Sequence, residues 1–342
     1  MEQQSRRKLV QTIIFLGIFL ALILLTVFLG GRKNFGLQQY AQLTIDGLRG
    51  GAIYALIAMG FVMVFNVTGI INFAQGGFVM LGAMLAVTIY EWELPLPAWM
   101  HLLISVLLAI LLTSLIGILV ERLSIHPARS SSTLTLIIIT VGIYIATQGL
   151  ALLTWGADAY IYPAFTTLEM ADRTIRWMGI VIKSQSFWIW GITALVLIAL
   201  AFFFERTLIG KAMRACAVNR RGARLVGIST SRMSVVAFAL AAALGAIGGI
   251  VVAPILRPSY DMGLSLGLKG FVAAILGGLV STPGAVLGGL MLGLIENLAA
   301  GVTKAGMKDI YAFILLILAL LFRPQGLLGV RKTAVEADGE DH

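Results

Sequence analysis

Hydrophobic positions along the chain gather into long runs, not into the alternation of a half-buried strand or the single stripe of a surface helix. The runs are Leu9–Leu29, Gly47–Phe65, Ile70–Tyr90, Ala98–Val120, Leu134–Thr154, Phe187–Phe204, Ser234–Ala253, Leu266–Val280, Gly284–Ala300 and Ile310–Phe322. Several only just reach the ~20 residues that cross a hydrocarbon core. The pattern predicts an all-α polytopic membrane protein with about 8–10 transmembrane helices, the shorter runs being short or broken helices. The first run follows Arg6, Arg7 and Lys8. Ser5-Arg6-Arg7 hints at a twin-arginine signal. The run is longer than a signal-peptide core, however, and no small-x-small cleavage site follows it, so an uncleaved span is expected.

The polar stretches between the runs order the topology. Threading the spans alternately from a cytoplasmic N-terminus places Met1–Lys8, Asn66–Gly69, Glu121–Thr133, Glu205–Met233, Ser281–Pro283 and Arg323–His342 inside. These segments hold most of the Lys and Arg, including Arg122, Arg129, Arg323, Arg331 and Lys332. The opposite side collects Glu91, Glu93, Asp158, Glu169, Asp172 and Asp261 with scattered cations. Cytoplasmic loops of membrane proteins carry such an excess of cations. Both termini are therefore expected in the cytoplasm. Residues 1–46 form an N-terminal segment, first span and linker, residues 47–332 one transmembrane domain, and residues 333–342 an acidic, disordered tail.

Composition agrees: 59% of the 342 residues are hydrophobic and only 12% charged, against about a quarter in soluble domains. The net charge of +9 belongs to the loops flanking spans and, with no soluble module to present it, does not indicate nucleic-acid binding. Cys216 is the single cysteine, so no internal disulfide forms.

Arg206–Arg232 is the most charged interruption, with Arg206, Lys211, Arg214, Arg220, Arg221, Arg224 and Arg232 and no acidic residue. Drawn as one helix, it places Ala212, Ala215, Cys216, Asn219, Ala223 and Val226 on a narrow stripe and the cations around it. Charge alone fits an ordinary basic loop; the small-residue stripe fits a helix that docks on a partner. Two further places look like interrupted helices. One runs from Asn66-Val67-Thr68-Gly69 to Gly76-Gly77 and contains Asn72 and Gln75. The other runs from Gly277-Gly278 to Ser281-Thr282-Pro283-Gly284. Gly77-x4-Gly82-x-Met84 and Gly284-x4-Gly289-x-Met291 hint at an internal repeat. Paired breaks line solute pathways in transporters. Asn72, Gln75, Gly76, Gly77 and Gly284 are the candidate pathway residues, with capping and tight helix packing as their structural alternatives. Glu296 is the deepest carboxylate, and Lys269 is expected to snorkel to the interface.

Other chemistry is absent from the pattern. His101, His126 and His342 have no ligand spacing, so no metal site is expected. No phosphate-binding loop exists: Gly210-Lys211 has Glu205 where the first glycine would stand and Ala212 in place of the hydroxyl. Intramembrane carboxylates are too few for a proton relay. The lack of clustered His, Cys or paired carboxylates argues against an enzyme.

Four stretches in order carry a family resemblance: Gly47–Ala83, Gly210–Ile228, Gly267–Leu298 and Leu320–Gly329. Together they resemble the bacterial branched-chain amino-acid ABC importer permeases of the LivH type, over roughly Gln39–Lys332. The resemblance implies a permease in the cytoplasmic (inner) membrane that pairs with a second, homologous permease. Two cytoplasmic ATP-binding subunits and a periplasmic or lipid-anchored solute-binding protein would complete the transporter. ATP and magnesium would sit on the partner subunits, and no cofactor on this chain. Gly210, Lys211, Arg214, Ala215, Asn219, Ala223, Arg224 and Gly227 would couple to the ATPase. Arg214, Arg220 and Arg224 would pair with its acidic rims. Gln75 and Gly77 stand where the family usually carries His and an acidic residue, and Asp46 lies near its usual Asn. The expected function is ATP-driven import of branched-chain or related aliphatic amino acids by alternating access. A urea or short-amide importer is the alternative within the family, and an ion-coupled secondary transporter the alternative outside it.

Overall fold

The computed structural model describes residue 17 and residues 19–92, 95–166, 174–177, 179–303 and 305–329. The N-terminal cations, most of the first apolar run before Phe19, Glu93, Glu169, Asp172 and the tail 333–342 with Arg331 and Lys332 lie outside the described residues. The helices are α1 (Phe19–Arg32), α2 (Leu37–Thr68), α3 (Gln75–Tyr90), α4 (Ala98–Val120), α5 (Thr133–Trp155), α6 (Ser184–Arg206), α7 (Leu208–Val218), α8 (Arg220–Leu225), α9 (Thr230–Leu256), α10 (Met262–Gly277), α11 (Thr282–Val302) and α12 (Lys308–Phe322). Among the described residues, six helical spans are long and apolar enough to cross a membrane; α1, α3 and α10 are shorter apolar helices. Every apolar run with described residues holds a helix.

The helices divide by where their apolar faces point. α2, α3, α9, α10 and α11 are buried on most sides and form the core. α4 instead turns Ser105, Ala109, Thr113 and Gly117 inward and leaves Leu103, Leu107, Leu111, Leu115 and Leu119 exposed. α5 buries Leu136, Thr140, Tyr144 and Ala151 and exposes Ile138, Ile145 and Leu153, and α6 exposes Leu195, Ile198 and Phe202. Small and polar groups inside with large apolar groups outside is the arrangement lipid imposes, because tails are as apolar as the core and only close packing drives association.

That close packing is clearest between α2 and α11, which run antiparallel. Gly47 and Gly51 on α2 meet Gly289 and Gly293 on α11; a Cβ on Gly51 would lie 2.7 Å from the Leu290 Cα. The backbones touch with no side chain between them.

Both interruptions read from the sequence are present. α2 stops at Thr68, where Gly69 adopts φ +76°, and α3 begins only at Gln75. α10 stops at Gly277, followed by Gly278 at φ +105°, and α11 starts on an N-cap in which Ser281 Oγ accepts from Gly284 N–H. These positive φ values are cheap only for glycine. The closing stretch Arg323–Gly329 packs on the second break: Leu327 N–H and Leu328 N–H donate to the Leu276 and Gly277 carbonyls at 2.9 and 3.0 Å. It thereby satisfies carbonyls that a helix end leaves without partners.

One element escapes the apolar pattern. Within the wet stretch after α5, β1 (Thr174–Trp177) and β2 (Ile180–Lys183) form an antiparallel ribbon, with Ile175 opposite Ile182. Gln42 on α2 anchors it, accepting from Val181 N–H at 2.9 Å and donating to the Val181 carbonyl at 3.1 Å.

Candidate functional site

One end of the bundle is basic. α7 and α8 cross it, and the last turns of α2 and α4 and the first of α9 and α11 converge there. The single helix drawn from the sequence is two helices, because Asn219 takes φ −149°, ψ 104° and its Oδ1 accepts from Gly222 N–H at 2.7 Å. Asn219 therefore ends α7 and caps α8. Thr207 does the same for α7, accepting from Gly210 N–H at 3.0 Å. Gly210 is buried at the α6–α7 elbow, where a Cβ would lie 2.7 Å from the Phe204 Cα. Gly227, at φ +84°, closes α8, with Ile228 N–H reaching back to the Ala223 carbonyl. This is a Schellman-type ending.

The break redistributes the stripe. Met213, Cys216 and Ala223 are buried and Ala215 half-buried, all packed against the bundle, so most of the small residues hold the segment in place and do not face outward. What faces outward is apolar: Val218, Leu225 and Val226 are 80%, 89% and 75% exposed. Lys211, Arg214, Arg221 and Arg224 of the same two helices are exposed as well. Arg224 keeps an internal bond, its Nε donating to Thr230 Oγ1 at 3.0 Å. Burial pushes the Cys216 thiol up from its ordinary range, against the opposing pull of Arg220 and Arg224.

Arg220 is the exception among the cations. It turns inward, and its Nη1 donates to the Thr68 carbonyl at 3.1 Å. That carbonyl lies in the last turn of α2, where a cation meets the negative end of the helix. Burial and neighbouring Arg224 lower its guanidinium pKa from the ordinary value. The basic segment is thus tied directly to the residue preceding the first break.

Inside that break lie the candidate pathway residues. Asn72 and Gln75 are both fully buried. Asn72 Oδ1 accepts from Ala74 N–H at 3.1 Å, and Gln75 Nε2 donates to the Ala241 carbonyl at 2.9 Å. Asn72 Nδ2, Gln75 Oε1 and the nearby Tyr144 hydroxyl have no hydrogen-bond partner among the described residues. Each such buried orphan costs about 1–3 kcal/mol. Thr140 on α5 accepts from Phe73 N–H at 3.1 Å, and the Phe73, Phe61 and Phe271 rings cluster with centroids 5.1–6.4 Å apart. Gly77 faces Tyr144 and Thr147. Gly76 and Gly284 instead make backbone contacts with Gly263 and Gly277, the packing alternative.

A cleft of about 790 Å³ lies beside α7, lined by Asn66, Phe204, Glu205, Arg214, Val280 and Pro283 among others. At the opposite end, Lys269 does not snorkel. Its Nζ lies 2.8 Å from both Glu296 Oε1 and Asp309 Oδ1. Glu296 is 1% exposed, so it does not reach the surface. Among the described residues, no group of three or more His, Cys, Asp or Glu could hold a metal ion.

A bundle with a glycine-packed core, broken helices carrying buried amides, and a basic platform at one end defines a multi-pass membrane permease. A model of the family described as "Branched-chain amino acid transport system / permease component" matches residues 43–320, and the chain belongs to that family. It is 34% identical to the high-affinity branched-chain amino acid transport system permease protein BraD of Pseudomonas aeruginosa, over 86% of this chain and 97% of that one. It is 33% identical to the permease protein LivH of Escherichia coli K12, over 85% of this chain and 96% of that one. A solved structure, PsaBC from Streptococcus pneumoniae in complex with Fab, aligns at 12% identity and TM-score 0.43, over 88% of this chain and 97% of that one. The family is one of transport permeases and not of enzymes.

Proposed function

We propose that this chain is a permease subunit of an ATP-driven importer in the bacterial cytoplasmic membrane, moving branched-chain or related aliphatic amino acids by alternating access. The names of its relatives support the solute class. In this reading the basic end faces the cytoplasm, as the bias of Lys and Arg toward it suggests. Two ATP-binding subunits dock there, a second homologous permease completes the channel, and a solute-binding protein delivers from the opposite side. ATP and magnesium are held by the partners. In this reading residues 47–332 form the permease domain, with residues 205–233 as its cytoplasmic coupling segment, and residues 333–342 the tail.

One observation carries the docking assignment: three apolar side chains, Val218, Leu225 and Val226, stand exposed outside the apolar spans, on a short segment that also exposes Lys211, Arg214, Arg221 and Arg224. Protein interfaces combine exposed apolar anchors with polar and charged surroundings. ATP-driven closure would move α7 and α8, and Arg220 would pass the movement to Thr68 and the break that holds Asn72 and Gln75. Opening there would give the orphan amide groups a solute or water to bond.

The test is co-purification of the ATP-binding subunit with Arg214→Glu combined with Leu225→Glu. Arg224 is left intact because its Nε holds Thr230. Loss of the ATP-binding subunit from a permease that still inserts is expected. Retention at the normal ratio would contradict the docking surface.

A further inference from the structure

A second cleft, of about 300 Å³, lies between α5, α10 and α12 at the end opposite α7 and α8, and the coupling reading makes no use of it. Its polar lining is Gln148, Asp261, Ser265, Lys269 and Asp309; Leu264, Leu268, Val272 and Phe313 form apolar walls. The volume is at the lower end of small-molecule sites, which combine an apolar wall with a few placed polar groups.

The charges exceed what packing requires. A buried ammonium needs a carboxylate, and Glu296, behind Lys269 on α11 and 1% exposed, supplies it at 2.8 Å. Asp309 is a second carboxylate on the same Nζ, also at 2.8 Å, with its side chain 60% exposed. Asp261 is a third, exposed at the cleft, and its Oδ1 accepts from the Ser259 hydroxyl at 2.6 Å. With Glu296 neutralising Lys269, the cleft is left with two surplus carboxylates beside a cation that has three N–H donors. This suits a molecule bearing an ammonium and a carboxylate on one carbon, with an aliphatic chain for the walls.

We propose that the cleft is an outer binding station for a zwitterionic aliphatic amino acid. The solute's ammonium takes Asp309 and Asp261. Its carboxylate takes the Lys269 N–H that Asp309 gives up, with Ser265 and Gln148 as neutral donors. Its side chain lies against Leu268, Val272 and Phe313. No proton moves: the Lys269–Asp309 pair is exchanged for three, the solute ammonium with Asp309 and Asp261 and its carboxylate with Lys269. Inward of Gln148, four and eight residues along α5, stand Tyr144 and Thr140, which adjoin Gly77 and Phe73 of the first break. Gln148, Tyr144 and Thr140 therefore share one face of α5, which runs from the cleft toward the break that holds Asn72 and Gln75. The station rests on the reading of the chain as an amino-acid importer permease.

The single cysteine makes the test direct. In a Cys216→Ala background, Ser265→Cys places one thiol in the cleft of the full transporter, reconstituted with its ATP-binding subunits and binding protein. Alkylation by a membrane-impermeant maleimide is timed during ATP turnover, with and without leucine. Leucine is expected to slow alkylation about fivefold or more. Asp309→Asn is expected to abolish that protection and to reduce leucine uptake about tenfold or more, as loss of one charge-assisted bond would. Asp309→Glu should restore both, which a folding defect at this exposed position would not explain. Unprotected Ser265→Cys with leucine uptake intact, or Asp309→Asn importing at the wild-type rate, overturns the station and leaves the importer reading standing. A wild-type transporter that imports no leucine overturns that reading and the station with it.

Discussion

Arg220→Met removes the hydrogen bond between the basic segment and the first break, the strut of the proposed coupling, while keeping much of the side chain's length and apolar stem. The lost contact is one hydrogen bond from a guanidinium to the Thr68 carbonyl, 3.1 Å long and partly buried. Hydrogen bonds from charged groups contribute about 1.5–3 kcal/mol, or roughly tenfold to hundredfold in the equilibrium they bias. If that bond links movement of α8 to opening at Gly69–Ala74, the coupling should weaken by a similar factor. The surface carrying Val218, Leu225 and Val226 is untouched, so the ATP-binding subunits should still assemble. The assay is ATP hydrolysed per leucine imported by the reconstituted transporter. The ratio should rise about tenfold or more in Arg220→Met and less in Arg220→Lys, which keeps the charge but lacks the planar fork. An unchanged ratio would refute the strut, and loss of the ATP-binding subunits would make Arg220 a docking residue instead.

Three further outcomes follow from the packing. Gly293→Leu forces a side chain between backbones that touch at Gly47 and Gly51; overpacking costs about 1–3 kcal/mol or more, so purified protein should melt several degrees lower or fail to accumulate. A wild-type melting curve would contradict the contact. Glu296→Gln removes the buried one of the two carboxylates on Lys269, and with Asp309 still paired it should destabilise by about 1.5–3 kcal/mol; an unchanged melting temperature would contradict the pairing. Cys216 should alkylate more slowly than a free thiol between pH 7 and 8, because burial raises its pKa and so lowers the thiolate fraction. The rate should climb with pH and reach the free-thiol value on denaturation, and fast labelling of the folded protein would contradict its burial.

What the sequence made legible was whatever depends on local pattern. Ala98–Val120 reproduces α4, and the runs around α5, α6, α9 and α11 differ from the helices by a few residues at each end. The breaks at Gly69 and Gly278 were legible because amides, glycines and Ser-Thr-Pro interrupt apolar runs. Contacts between distant residues were not. Lys269 and Glu296 are 27 residues apart on different helices, and nothing in either neighbourhood announces a 2.8 Å pair. Gly284, named from its sequence neighbourhood alone, stands against the Gly277 backbone, a contact that its own stretch does not announce. The split of the basic segment has a signal that the helical wheel overrides: Asn219 with Gly222 three residues on is an N-cap pattern. Treating α7 and α8 as one cylinder turned Ala223 toward the partner, when the second helix turns it to the bundle. The β-ribbon had a weaker signal, in the β-rich Ile-Val-Ile after Gly179.

In the proposed mechanism, ATP bound by partner subunits drives aliphatic amino acids through this permease. The decisive experiment is uptake of labelled leucine into vesicles holding the reconstituted transporter, with the binding protein outside and ATP or a non-hydrolysable analogue inside. Uptake that needs hydrolysable ATP, persists when ion gradients are collapsed and is competed by isoleucine and valine but not urea is the result expected. Uptake that follows an ion gradient without ATP, or a transporter that carries urea and leaves leucine outside, would contradict it.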